Sequence, residues 1–198
     1  MILLPLFFLI YILVWVGLVV GVGVISWRSS KSVIGTGVAV AIVFFVMYWP
    51  AFGDYFPTVN AHKEYCEKEA GFKIYVTPEQ WDAENPGVLE TLIPADRGID
   101  ENHLDYGNKR MASKFEMHSF NGVAIRKEVS SIIDVKTNTV LAENINFSRG
   151  YWYQQPQDWR ALKVWLNARS CFSAQEVEIS NIKQKEYYKR LNTKWGYF

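Results

Sequence analysis

Two long stretches without a charged side chain constrain this chain more than any other feature. Residues 1–27 contain no Asp, Glu, Lys or Arg, then Arg28 and Lys31 interrupt, and residues 33–53 are again uncharged. A bilayer core of roughly 30 Å is crossed by about 20 apolar residues as a helix, and each stretch meets that length. The pattern predicts a transmembrane hairpin over residues 1–53, with spans at about 2–26 and 33–52 joined by a turn at 27–32.

The first span is too long and too evenly apolar for a cleaved signal sequence, and no basic region precedes it, so it is expected to remain in the mature protein. Arg28 and Lys31 are the only basic residues near the helix ends ahead of Asp54. Positive charge in a short loop marks the cytoplasmic side, which places both termini in the periplasm of a bacterial inner membrane. Tyr48, Trp49, Phe52, Tyr55 and Phe56 suit the outer water interface, with Pro50 and Pro57 expected to end the helix. Gly17 and Gly21 form a small-xxx-small pair, and Gly23, Gly35 and Gly37 lie towards the turn. These glycines are read as the surface on which the two helices pack together, with a helix of another chain as the alternative occupant. No Asp, Glu, Lys, Arg or His stands within either span, which argues against a pump or transporter acting alone.

The remainder, residues 54–198, is long enough for one domain with its own core. The whole chain has 21 basic and 20 acidic residues, and two of the bases belong to the hairpin turn. The excess of cations that phosphate neutralisation requires is missing, so nucleic acid is excluded as a partner. Cys66 and Cys171 are the only cysteines. Both fall in the part placed outside the cytoplasm, where a disulfide is the natural state. The competing arrangement is a metal site on one helical face, from His62, Cys66 and Glu69 at i, i+4 and i+7.

A short helix is expected from Thr58 or Asn60 to about Ala70, stopped by Gly71, and Phe72–Val76 reads as a strand. Thr77-Pro-Glu-Gln80 has the cap and early proline of a helix start. Residues 84–109 are rich in Pro, Gly, Asp and Asn and predict a surface excursion with little regular structure. From Met111 the period becomes two. Met111, Ser113, Phe115 and Met117 alternate with polar neighbours, Asn121-Gly122 makes a hairpin turn, and a second turn follows with Asn138 in the left-handed region. Leu141, Ile145 and Phe147 are expected on one face of the returning strand. The result is a three-stranded antiparallel meander over 111–148, joined by the strand at Phe72.

Beyond Arg149-Gly150, Tyr151, Trp152 and Tyr153 form an aromatic loop. A helix is expected from Pro156 to about Arg169, burying Trp159, Leu162, Trp165 and Leu166, and another from Ser180 to Thr193 with Tyr187, Tyr188, Leu191 and Trp195 on one side. The fold class is therefore a membrane-anchored α+β protein: an N-terminal two-helix hairpin, then an antiparallel β-meander domain covered by helices.

No nucleophile elbow, His-Glu-x-x-His, phosphate-cradling glycine loop or Cys-x-x-Cys occurs. His62, His103 and His118 are scattered and read as surface residues. The expectation is a non-catalytic protein without a cofactor, an accessory, scaffold or assembly subunit of an envelope complex. Its partners would be the lipid bilayer and another membrane or envelope protein, or a second copy of itself. Two alternatives share the same sequence: a tethered ligand- or glycan-binding sensory domain using Tyr151, Trp152 and Tyr153, and a phage or mobile-element protein that interferes with a host envelope process.

Overall fold

The computed structural model describes residues 3–95, 104–154, 157 and 159–197. The chain divides into two units, Met1–Thr58 and Val59–Phe198.

In the first unit, uninterrupted apolar sequence becomes two long helices, α1 (Leu3–Ser30) and α2 (Val33–Phe52). The reversal between them uses Lys31 at φ 48°, and the Ser32 hydroxyl caps α2 by accepting from Gly35 N at 3.3 Å. Both helices are long and apolar enough to cross a membrane, and neither buries that apolar surface within the protein. They meet through aromatic rings. Trp15 lies 5.0 Å from Phe44 and 6.5 Å from Tyr48, and the Tyr11 hydroxyl donates to the Met47 carbonyl. Of the hairpin glycines, Gly23 and Gly35 approach the other helix: an added Cβ would stand 3.5 Å from Val40 at Gly23 and 3.6 Å from Ser30 at Gly35. Added Cβ atoms at Gly17, Gly21 and Gly37 would meet nothing within 4 Å, and one at Gly35 would meet only Ser30 and Ser32. Gly17, Gly21 and Gly37 thus make no close contact within the hairpin, where the rings of Trp15, Phe44 and Tyr48 supply the main contact.

The prolines also differ from expectation. Pro50 lies inside α2, which continues to Phe52, and Pro57 lies inside α3 (Tyr55–Lys68). Pro57 falls in the first turn, where a missing N–H costs nothing, and Pro50 stands too near the C-terminal end to disrupt more than the last turn.

In the second unit, Gly71 at φ +124° turns the chain out of α3 into β1 (Gly71–Ile74). Thr77 and Gln80 form a reciprocal capping box at the start of α4 (Pro78–Glu84). The meander follows as β3 (Met111–Ser119), β4 (Ile125–Asp134) and β5 (Thr139–Arg149), with Gly122 and Asn138 at positive φ in its two turns. Strand β1 adds to β5. A short strand β2 (Leu104–Tyr106) adds to β3, giving five antiparallel strands in the order β1-β5-β4-β3-β2. The excursion over 84–109 is thus partly regular, with a single-turn helix at Leu89–Thr91 and a bridge between Pro94 and Asn108. Asn108 supplies the reason. Its Oδ1 accepts from the N–H groups of Arg110 and Met111, both at 2.8 Å, and its Nδ2 donates to the Leu191 and Asn192 carbonyls.

Ile132 pairs with Ala142 and Ile133 with Val140, so Leu141 is an extra residue in β5. A bulge of this kind turns two successive side chains to one face. Leu141 and Ala142 join Met111, Ile132, Trp81, Tyr187 and Leu191 in one buried cluster, whereas Ile145 and Phe147 join Ile125 and Val129 in another. The alternation along β4 and β5 puts the two clusters on opposite faces. The expectation that Leu141, Ile145 and Phe147 share a face is corrected by that one inserted residue.

Helix α6 (Ala174–Arg190) covers the first cluster with Tyr187, and Leu191 follows just beyond its end. It starts six residues earlier than predicted, at a capping box made by Ser173 and Glu176. The helix expected over 156–169 is replaced by two 3-10 turns, Trp159–Leu162 and Val164–Leu166; Pro156 and Asp158 lie outside the described residues. The physical reason is strand-like pairing. Arg149 N donates to Ala168 O at 2.8 Å and Ala168 N returns to Arg149 O at 3.0 Å, which requires extended chain where the helix would have ended.

Asp134 ties α4 to the sheet. It accepts from Trp81 Nε1 at 3.0 Å and from Arg110 Nη2 at 2.6 Å, and both partners' side chains in the ion pair are largely buried. Burial alone would raise this carboxyl, but the bonds from Arg110, Trp81 and Lys136 N outweigh it and hold it below its ordinary value of 3.8. Its contribution to stability is therefore complete above the unfolded-state value and is lost as pH falls through the lower folded one. Asp134→Asn is expected to cost about 3 kcal/mol near neutral pH and to flatten the acid limb of the stability profile, measured by denaturant titration at stepped pH.

Candidate functional site

The sheet face that carries the first cluster is covered at one end only. Past Met111 and Ile132, the same face of β3 presents Phe115 and Met117, more than half exposed. The register sets Met117 beside Glu128 and Glu128 beside Asn146 in one row across the sheet, with Arg126 in the row above. Trp152 and Tyr153 from α5 (Tyr151–Gln154), Arg169 and Ser170 from the segment after the 3-10 turns, and Val177 of α6 complete an open groove of about 1080 Å³.

The aromatic triplet divides between core and groove. Gly150, at φ +109°, makes the turn out of β5, and a Cβ there would lie 2.0 Å from Asn167 Oδ1. Tyr151 is then buried, with the Arg160 guanidinium 4.5 Å and the Lys163 ammonium 5.8 Å from its ring centre. Trp152 remains 57% exposed, and Tyr153 is half-buried beside the Arg126 guanidinium, 5.9 Å from its ring centre.

The polar floor is internally bonded. Arg126 donates through Nε at 3.0 Å and through Nη2 to Glu128 Oε1, and through Nη1 to the Tyr153 carbonyl. Asn146 Oδ1 accepts from Ser170 Oγ at 3.1 Å and from Cys171 N at 3.2 Å, and its Nδ2 donates to the Arg169 carbonyl at 3.5 Å. Arg169 itself is exposed and, among the described residues, has no carboxylate partner.

Cys66 and Cys171 stand at disulfide distance, 2.06 Å between sulfurs. The link joins α3 to the groove segment beside Tyr65, whose ring stacks on Phe147 at 5.3 Å and Phe120 at 4.8 Å. His62 is not at the surface. It is buried, its Nε2 lies 3.1 Å from the Phe147 carbonyl, and burial is the first cause lowering its pKa. His118 is exposed, and His103 lies outside the described residues. Of the suggested metal ligands, Glu69 pairs with Lys127 Nζ at 2.8 Å, while His62, Cys66 and Cys171 have ligand atoms within 4.8 Å of one another. With the sulfurs bonded to each other neither is a thiolate, and the set offers a metal a single imidazole nitrogen.

Sequence reasoning found Trp152 and Tyr153. It missed Arg126, Glu128, Asn146 and Arg169, whose meeting depends on strand register and on the bridge at Ala168. The polar phase of the Phe115 and Met117 strand was legible, but the bulge that decides which face stays uncovered was not.

No family model matches the chain, and no curated protein or solved structure is significantly similar to it.

The two neighbouring aromatics separate stability from surface role. Tyr151→Ala is expected to destabilise the fold by about 3 kcal/mol, and Trp152→Ala to stay within about 0.5 kcal/mol of the parent, compared by thermal melts in the same detergent.

Proposed function

We propose that this is a non-catalytic inner-membrane protein whose hairpin anchors an extracytoplasmic recognition domain, serving as an accessory or assembly subunit of an envelope complex. The observation that carries the reading is the uncovered apolar surface of α1 and α2, which only hydrocarbon or another apolar helix can accept. Arg28 and Lys31 in the tight turn favour a cytoplasmic position for it, and with it a periplasmic position for both termini. An oxidised pair of cysteines fits that side of the membrane.

Gly17 and Gly21, one turn apart and open to the outside of the hairpin, suit the approach of a partner's helix. The groove supports recognition rather than chemistry: among its described lining residues Glu128 is the one carboxylate, and it is held by Arg126. The ligand-binding reading is favoured by a different observation, the exposed ring of Trp152 above a polar floor. It is compatible with the scaffold role, since a tethered subunit needs something to hold.

Extraction of the tagged protein in mild detergent is expected to bring a membrane partner in fixed stoichiometry. Replacing Gly17 and Gly21 together by Leu is expected to release it while leaving the melting of the outer domain unchanged. Recovery of the chain alone, at the mass of one or more of its own copies, would contradict the accessory role.

A further inference from the structure

We infer that the groove binds an acidic glycan, with Trp152 stacked beneath a sugar ring and Arg169 paired with a carboxylate on the same or the next residue. The inference rests on the reading of the outer domain as a recognition module and names what it recognises.

Three features of the groove select this ligand class. The first is the indole of Trp152, 57% exposed at the groove wall. A pyranose ring presents one face of C–H groups and a rim of hydroxyls, and an exposed aromatic face bordered by polar groups matches both. The second is the floor. Glu128 Oε1 takes the bonds from Arg126 and one from Ser148 Oγ at 3.5 Å, which pins the carboxylate and leaves Oε2 to accept from a hydroxyl. The neighbouring Asn146 is likewise fixed in place by Ser170 and Cys171 N. A polar row set by strand register and locked by internal bonds is pre-organised, so a ligand would not have to order it. The third is charge. Arg126 and Glu128 cancel, and Arg169 remains as one cation without an acid partner among the described residues. One cation with a forked donor set fits one carboxylate.

A peptide fits less well. Strand addition needs unpaired backbone, and the polar floor lies on β4, paired on both sides, and on β5; the edge of β3 beyond Lys114, which has no strand partner among the described residues, would place an added strand beside the groove rather than in it. Phe115 and Met117 offer a shallow apolar surface rather than the deep pockets that grip side chains. A polynucleotide would need several cations along its path, and the groove has one free.

The test is calorimetric titration of the full chain in detergent micelles with two probes of equal length. One is a tetrasaccharide of alternating N-acetylglucosamine and N-acetylmuramic acid with free lactyl carboxylates, and the other is chitotetraose, its neutral counterpart. The acidic probe is expected to bind, more weakly as salt is raised, and the neutral one about tenfold less tightly. Trp152→Ala and Arg169→Gln are each expected to weaken the acidic probe by about tenfold, and Arg169→Lys to restore part of the loss, with melting temperatures unchanged. Equal affinity for both probes, affinity unaffected by the Trp152 and Arg169 substitutions, or no heat at about 10 mM probe would each overturn the inference. If the sugars fail while Trp152→Ala frees a protein partner in the detergent extract, the glycan inference falls and the recognition reading stands.

Discussion

Internal satisfaction of backbone hydrogen bonds along two long uncharged stretches is the constraint on which this architecture depends. A chain that crosses lipid must satisfy its N–H and C=O groups internally, and a helix does so within one segment. Two uncharged stretches separated by five residues leave the helical hairpin as the simplest solution, and α1 and α2 take it. The contact between the two helices centres on the rings around Trp15. Gly17 and Gly21 meet no neighbour within the hairpin.

A second constraint operates in the sheet domain. The extra residue at Leu141 hands apolar side chains to opposite faces of a single sheet, so neither face is apolar along its whole length. Tyr187 and Leu191 cover one end of one face, and Tyr65 with the Cys66–Cys171 link covers the other end of the opposite face. The uncovered end of the first face is the groove. Arg126, Glu128 and Asn146 lie in the regular part of the ladder, on the face that Ile132 carries further along β4, and no element covers them there.

Much of this was legible from pattern alone. Absence of charge revealed two helices, period-two alternation and the turns at Gly122 and Asn138 revealed the meander, and the presence of just two cysteines revealed their pairing. These signals are local or, with only two cysteines in the chain, allow a single pairing. The signals that failed needed tertiary context. The apolar stripe at Leu162, Trp165 and Leu166 has helical spacing, yet pairing of Ala168 with Arg149 prevents the helix, and Leu162 is left exposed. His62 has the polarity of a surface residue and is buried because the Phe147 carbonyl accepts its Nε2–H. The aromatic triplet could be found as a unit but not divided, since the turn at Gly150 decides that Tyr151 goes inward and Trp152 outward.

The account stands on the placement of residues 54–198 outside the cytoplasm, and thiol labelling in intact cells tests it most directly. A membrane-impermeant maleimide, applied with the outer membrane opened and the inner membrane intact, is expected to leave Cys66 and Cys171 unlabelled. A brief treatment with an impermeant reductant in partial denaturant should make both reactive. Labelling only after the inner membrane is dissolved would put the domain in the cytoplasm and contradict the account.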